Sequence, residues 1–129
     1  MRKFLKLIPL IVSSLLLVSC SAPVDNAGYR EIAMDEALTI MKDEKNYIIL
    51  DVRTPEEYLS GHIPGAINIP NEDISDAEVP GLTDKSQLIL IYCRSGRRSK
   101  EASKKLVKLG YTNIVEFGGI LVWKGEIEK

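Results

Sequence analysis

The sequence predicts an α/β domain with a largely parallel central sheet flanked by helices in three layers. Residues 47–52 (YIILDV), 87–93 (QLILIYC) and 113–117 (NIVEF) are short, nearly continuous apolar runs, as strands covered on both faces require. Segments with helical spacing precede and separate them. No period of about 20–50 residues recurs, which excludes a stacked-repeat architecture.

In chain order, Met34, Ala37, Leu38 and Met41 recur at helical spacing, with Asp35 and Glu36 in the first turn, and predict a helix over residues 34–43. The first buried strand runs into the stretch TPEEY. Thr54 can cap there, Pro55 suits the first helical position and Glu57 completes a capping box, so a short helix starts at Pro55 and stops near Gly61. Residues 62–70 (HIPGAINIP) read as turn, short strand around 66–69, and turn. Residues 71–86 read as a short helix and loop. Beyond the second strand, Ala102, Leu106 and Leu109 mark the apolar face of a helix over about 98–109. Glu101 and Lys105 form a favourable i, i+4 pair on it, and Gly110 ends it. The third strand is expected to break at Gly118 and Gly119.

The chain has 129 residues, 45% hydrophobic and 27% charged, enough to build one packed domain. A formal net charge of -1 gives no reason to expect a nucleic-acid partner. The first twenty residues, MRKFLKLIPLIVSSLLLVSC, are of a different kind. Arg2, Lys3 and Lys6 precede a short apolar stretch with no acid, the composition of a secretory signal and too short to span a bilayer comfortably. Residues 1–19 are therefore expected to be removed, which leaves a more acidic chain. Residues 20–29 are expected to form a small, polar tether, and residues 30–129 the folded domain.

The stretch IYCRSGRRS carries the chemistry. Cys93 ends a buried strand, where ligands of open α/β sheets bind. The helix that follows aims its free N–H groups and positive dipole end back at the loop. Gly96 allows the backbone to curl so that several amides turn inward, and Arg94, Arg97 and Arg98 add cations. Each effect favours thiolate over thiol, and comparable sites lower a cysteine pKa from about 8.5 to about 3.5–7.5. The expectation is an exposed, activated Cys93 in an anion cradle. The competing reading is a buried, inert cysteine before a solvated basic helix start. An arginine cluster at a helix N-terminus is electrostatically unfavourable without an anion, which weakens that reading.

Three segments, IILDVRTPEEYLSGHIPGAINIP, IYCRSGRRS and GYTNIVEFGGILVWKGE, resemble the start, active loop and C-terminal signature of single-domain rhodaneses, in order and spacing. Leu17-Val18-Ser19-Cys20 resembles the lipobox of bacterial lipoproteins, whose cysteine carries acyl chains such as palmitate. The first resemblance implies a rhodanese-like fold and sulfur relay from thiosulfate or a persulfide to a thiol or cyanide acceptor. Cys93 would be nucleophile and persulfide carrier. The amides of Arg94, Ser95, Gly96, Arg97 and Arg98 would cradle the outer sulfur, and Arg94 and Arg97 would hold the anionic donor. No metal or organic cofactor is implied. The second resemblance implies lipidation at Cys20 and a lipid anchor in the bacterial cell envelope, outside the cytoplasm.

Asp51 and Arg53 match the family's Asp-x-Arg after the first buried strand. Asp51 could pair with a loop arginine, or with Arg53 and nearby backbone as support. His62, the only histidine, fits a turn-supporting role better than a base, and Trp123 fits the core. Ser95 and Ser99 can hydrogen-bond within the loop, with no base in view to activate either. Two alternatives remain. One is a non-enzymatic persulfide carrier for a thiol-bearing protein partner. The other is a cysteine phosphatase or arsenate reductase, whose longer loop places arginine six residues after the cysteine. Here that position is Ser99, and Arg98 comes one residue early.

Overall fold

The computed structural model describes residues 27–129. The expected signal segment and the lipobox-like stretch with Cys20 lie outside the described residues. Strands β1 (Arg30–Glu31), β2 (Tyr47–Asp51), β3 (Ile67–Asn68), β4 (Leu88–Cys93) and β5 (Ile114–Gly119) form one sheet. All pairings are parallel, in the order β1-β5-β4-β2-β3. Helices α1 (Met34–Asp43), α2 (Pro55–Ser60) and α3 (Arg97–Lys108) cover its two faces. The expected α/β architecture is what the chain adopts.

Period-two alternation sorts the core into two layers. Ile89, Ile91 and Cys93 of β4 and Ile114 of β5 face α3, where Ala102 and Leu106 meet them. Leu90 and Tyr92 of β4 and Val115 and Phe117 of β5 face the other way, against Ala37 of α1 and Tyr58 of α2. Ile89, Leu90, Ile91 and Tyr92 are all 0% exposed. At about 1.5–3 kcal/mol per fully buried large side chain, the strand that delivers Cys93 is the most firmly held in the sheet.

The helix ends follow the sequence closely. At α2 the Thr54 hydroxyl accepts from the Glu57 amide, and the Thr54 amide donates back to the Glu57 carboxylate, a complete capping box. Glu57 is also gripped by both terminal nitrogens of Arg98, at 2.6 and 3.0 Å, which ties α2 to the start of α3. These hydrogen bonds, Arg98 first, outweigh burial and hold the Glu57 carboxyl down at about 2. At the end of α3 the Gly110 amide bonds Val107 O and the Tyr111 amide bonds Leu106 O, with Gly110 at φ 95°. That is a Schellman stop, and the left-handed residue is glycine as expected.

Five details differ from the sequence reading. Arg30–Glu31 forms an edge strand too short to leave a pattern. Tyr29, assigned to the tether, is buried in the core beside α3. Leu38 is 37% exposed, and Met34, Ile40 and Met41 surround Ala37 on the inward side of α1. Glu101 bonds Arg97 and Asn71 rather than Lys105, whose ammonium instead reaches the Asn71 carbonyl and side chain.

The fifth difference positions the site. Gly118 and Gly119 do not break β5; both belong to it. Ile91 pairs with Glu116 and Cys93 with Gly119, so β5 carries one extra residue there. Gly118 takes φ 93° in this bulge. Gly119 passes so close to the loop after β4 that an added Cβ would lie 2.0 Å from the Arg94 carbonyl oxygen. The glycine pair therefore lets β5 lie flush against the Cys93 loop.

Gly119→Ala is expected to cost about 1–3 kcal/mol or more in urea unfolding, because backbone must move to admit the methyl. Unchanged stability would show that the loop can retreat from β5. Glu57 contributes stability above its unfolded value near 4.5, and that contribution fades as pH falls toward about 2. Glu57→Gln is therefore expected to be less stable at neutral pH and to lose less stability on acidification through that window. Parallel melting curves for the two proteins would contradict the ion pair's role.

Candidate active site around Cys93

The ends of β2, β4 and β5 and the start of α3 meet at one corner of the sheet. Cys93 is the last residue of β4, and residues 94–96 link it to α3. Gly96 caps α3 with φ 117°, a left-handed conformation that other residues adopt only with strain. That turn aims the Gly96 amide at Cys93 Sγ, 3.0 Å away. Ser99, in the first turn of α3, places its Oγ 3.4 Å from the same sulfur.

Behind Ser99 stands Glu116 of β5. Its Oε1 lies 2.5 Å from Ser99 Oγ and accepts the Gly118 amide at 2.8 Å. Ser99 Oγ also lies 2.9 Å from the Gly96 carbonyl. Glu116 is only 2% exposed, and burial raises its carboxyl above the ordinary range despite the Ser99 and Gly118 bonds. For Cys93, burial acts upward too. The hydrogen bonds of the Ser99 hydroxyl and of the Ser99, Gly96 and Ser95 amides outweigh it, so the thiol sits below its usual value.

Of the five amides expected around the sulfur, those of Ser95 and Gly96 bond it, joined by that of Ser99, and the guanidinium groups do not. Arg94 is exposed. Arg97, with its side chain 74% exposed, bonds Glu101 at 2.8 Å. Arg98 is engaged by Glu57, and the Cys93 charge adds a smaller share to its raised basicity. The helix-start cations find the nearest carboxylates, so the sulfur is held chiefly by N–H and O–H donors. Cys93 is also 1% exposed, not open as anticipated. The exposed residues Arg94, Ser95 and Arg97 stand around it as a rim.

Asp51 and Arg53 form a buried support beside this corner. Arg53 Nε bonds both Asp51 oxygens, and its terminal nitrogen bonds Asp51 Oδ2 and the Gly61 carbonyl, both at 2.7 Å. The Tyr92 hydroxyl donates to Asp51 Oδ2 at 2.7 Å, while Asn68 bonds the carbonyls of Asp51 and Arg53. The network joins β2, β3, β4 and the end of α2, and every charge in it is satisfied. Of the two partners considered for Asp51, the structure has Arg53. His62 stacks on Tyr58 at 3.8 Å and sets Nδ1 2.9 Å from the Tyr58 carbonyl, a turn support. Trp123 is half-buried against the core and donates to the Glu126 carbonyl.

Sequence reasoning missed Glu116 and, with it, the partner of Ser99. A signal existed. Glu116 falls in phase with Ile114 on a strand buried on both faces, so it had to point at α3. Among the described residues no group of His, Cys, Asp or Glu side chains could hold a metal ion. None of their helices is long and apolar enough to cross a membrane.

Residues 34–126 match the family described as Rhodanese-like domain. The thiosulfate sulfurtransferase PspE of Escherichia coli (strain K12) is 38% identical over 71 residues, 55% of this chain and 68% of that protein. The putative sulfurtransferase YtwF of Bacillus subtilis (strain 168) is 39% identical over 87 residues, 67% of this chain and 82% of its own. The crystal structure of a rhodanese-like domain protein from Staphylococcus aureus superposes with a TM-score of 0.66 at 33% identity, covering 77% of this chain and 96% of that one. A cysteine at the tip of the central strand with its pKa lowered by N–H and O–H donors, the match across most of the folded region and these relatives agree: the chain belongs to the rhodanese-like domain family, whose members here include sulfurtransferases.

Proposed function

We propose that this domain moves a sulfane sulfur from thiosulfate or a persulfide to a thiophilic acceptor through a persulfide on Cys93. The observation that carries the reading is the sulfur itself, recessed at the end of β4 with the Gly96 amide at 3.0 Å and Ser99 Oγ at 3.4 Å. The thiolate attacks the outer sulfur of the donor and a new S–S bond forms. The donor's S–S bond breaks, and sulfite departs with the electron pair. The persulfide is anionic at its outer sulfur, where inward-turned amides stabilise it without reorganisation. An acceptor thiolate or cyanide then takes that sulfur and returns Cys93 as thiolate.

The rim supports a small anionic donor. Arg94 and Arg97 are exposed there, and Arg97 can leave Glu101 for an incoming anion at little cost, since an exposed ion pair is worth about 0–1 kcal/mol. A phosphatase reading is weaker. A phosphate needs a guanidinium inside the loop, and Arg98 is engaged by Glu57. The lipobox ending at Cys20 supports a lipid-anchored protein that presents this domain in the cell envelope.

Incubation with thiosulfate is expected to add the mass of one sulfur atom at Cys93, and cyanide to remove it. Cys93→Ser should neither gain that mass nor form thiocyanate while keeping its fold by circular dichroism. Thiocyanate formation by that variant would refute the proposal. Arg97→Ala is expected to raise the KM for thiosulfate about fivefold, the value of one exposed charge contact. Alkylation of Cys93 by neutral iodoacetamide should be unchanged, and equal losses in both measurements would deny Arg97 a donor-binding role.

A further inference from the structure

Cys93, Ser99 and Glu116 form a continuous chain of exchangeable groups across β4, α3 and β5. Ser99 Oγ stands between Cys93 Sγ at 3.4 Å and Glu116 Oε1 at 2.5 Å. Glu116 is 2% exposed and Ser99 is 0% exposed. The bulge in β5 sets the Gly118 amide on the same Glu116 oxygen at 2.8 Å, which fixes the carboxyl's orientation toward α3. The other polar neighbours of Ser99 Oγ are the carbonyls of Gly96 at 2.9 Å and Gly118 at 3.4 Å, which can only accept. Accepting the Gly118 amide accounts for one contact of the Glu116 carboxyl, and the other puts it one hydroxyl away from the nucleophilic sulfur.

We propose that Cys93 and Glu116 share one proton through the Ser99 hydroxyl, with Glu116 acting as the positioning acid and base of the nucleophile. In one arrangement the thiol donates to Ser99, and Ser99 donates to the Glu116 carboxylate. In the other, the S–H bond has broken and its proton lies on Ser99 Oγ. The serine's own proton has passed to Glu116 Oε1, and Ser99 now donates to the thiolate. Nothing is oxidised or reduced, and the three groups carry a single negative charge in both arrangements. The device supplies a thiolate without a histidine, consistent with the engagement of His62 elsewhere. When an acceptor displaces Cys93 from its persulfide, Ser99 donates to the departing thiolate, and the pair is again free to share its proton. The raised carboxyl of Glu116 and the lowered thiol of Cys93 bring the two groups closer to a match, as sharing requires. This role rests on the sulfur-transfer reading, but its test needs no sulfur donor.

The measurement is the pH dependence of Cys93 alkylation by iodoacetamide in the full chain, read by peptide mass. Other charged groups facing the pair are Arg98 and Lys100 on α3 and Glu31 on β1, and all stay constant among the variants. The wild type is expected to show two steps, because a shared proton gives the pair two macroscopic pKa values and partial thiolate between them. Glu116→Gln should collapse the profile to one step. Ser99→Ala should lose the lower step and shift the midpoint upward by about one pH unit, the loss of one charge-assisted hydrogen bond. A one-step wild-type profile overturns the proposal, as does a two-step profile that Glu116→Gln leaves unchanged. If Glu116→Gln fails to fold, the wild-type profile and Ser99→Ala decide. Parallel thiosulfate loading separates the two ideas. Loading with a one-step profile removes the shared proton and keeps sulfur transfer, whereas a two-step profile without loading does the reverse.

Discussion

The hydrogen bond from the Gly96 amide to Cys93 Sγ depends on features collected from across the molecule. It needs a left-handed residue at the start of α3, so only glycine serves there without strain. It needs α3 to begin within a few residues of β4, which places the helix's free amides around the sulfur. It also needs β5 close behind, and the glycine pair at the end of that strand permits the approach. A sulfur this deeply enclosed would ordinarily hold its proton. Donors from the loop and the helix outweigh burial and lower its pKa, with Arg94 and Arg97 exposed at the rim.

Around this centre the molecule keeps buried charge in closed sets. Asp51, Arg53 and Tyr92 satisfy one another and the neighbouring backbone, and no buried side-chain nitrogen or oxygen among the described residues lacks a partner. Such a set adds little net stability over an apolar core, but breaking one member leaves a stranded charge. Its use here is geometric. It locks the end of β2 to the end of β4, so the strand tip that carries Cys93 cannot splay. Arg98 and Glu57 do the same between α2 and α3.

Much of this was legible in the chain itself, and the failures have physical causes. Helix α1 and the Thr54–Glu57 capping box were readable because periodicity and capping chemistry act over one or two turns. The β4–loop–α3 corner was readable because an apolar run, a glycine and a helix start are all local. The arginine targets were not. Whether Arg98 faces Cys93 or Glu57 depends on how α2 docks on α3, a contact between residues 41 apart in sequence. Gly118 and Gly119 misled because glycine usually ends strands, whereas here a bulge and a close backbone approach require it within one. Glu116 was overlooked for a related reason: a single acid in a short apolar run looks like tolerance until its partner on another element is known.

The depth of Cys93 has a consequence for what the protein can touch. At 1% exposure Cys93 offers little surface to another protein's cysteine, which guards the thiol against cross-linking. A sulfur added in the proposed reaction would stand about 2 Å from Sγ, one S–S bond length. On the proposed sulfur transfer, the bare thiol is the more guarded state and the persulfide the more reachable one, so occupancy alone would distinguish a messenger with something to deliver from one without.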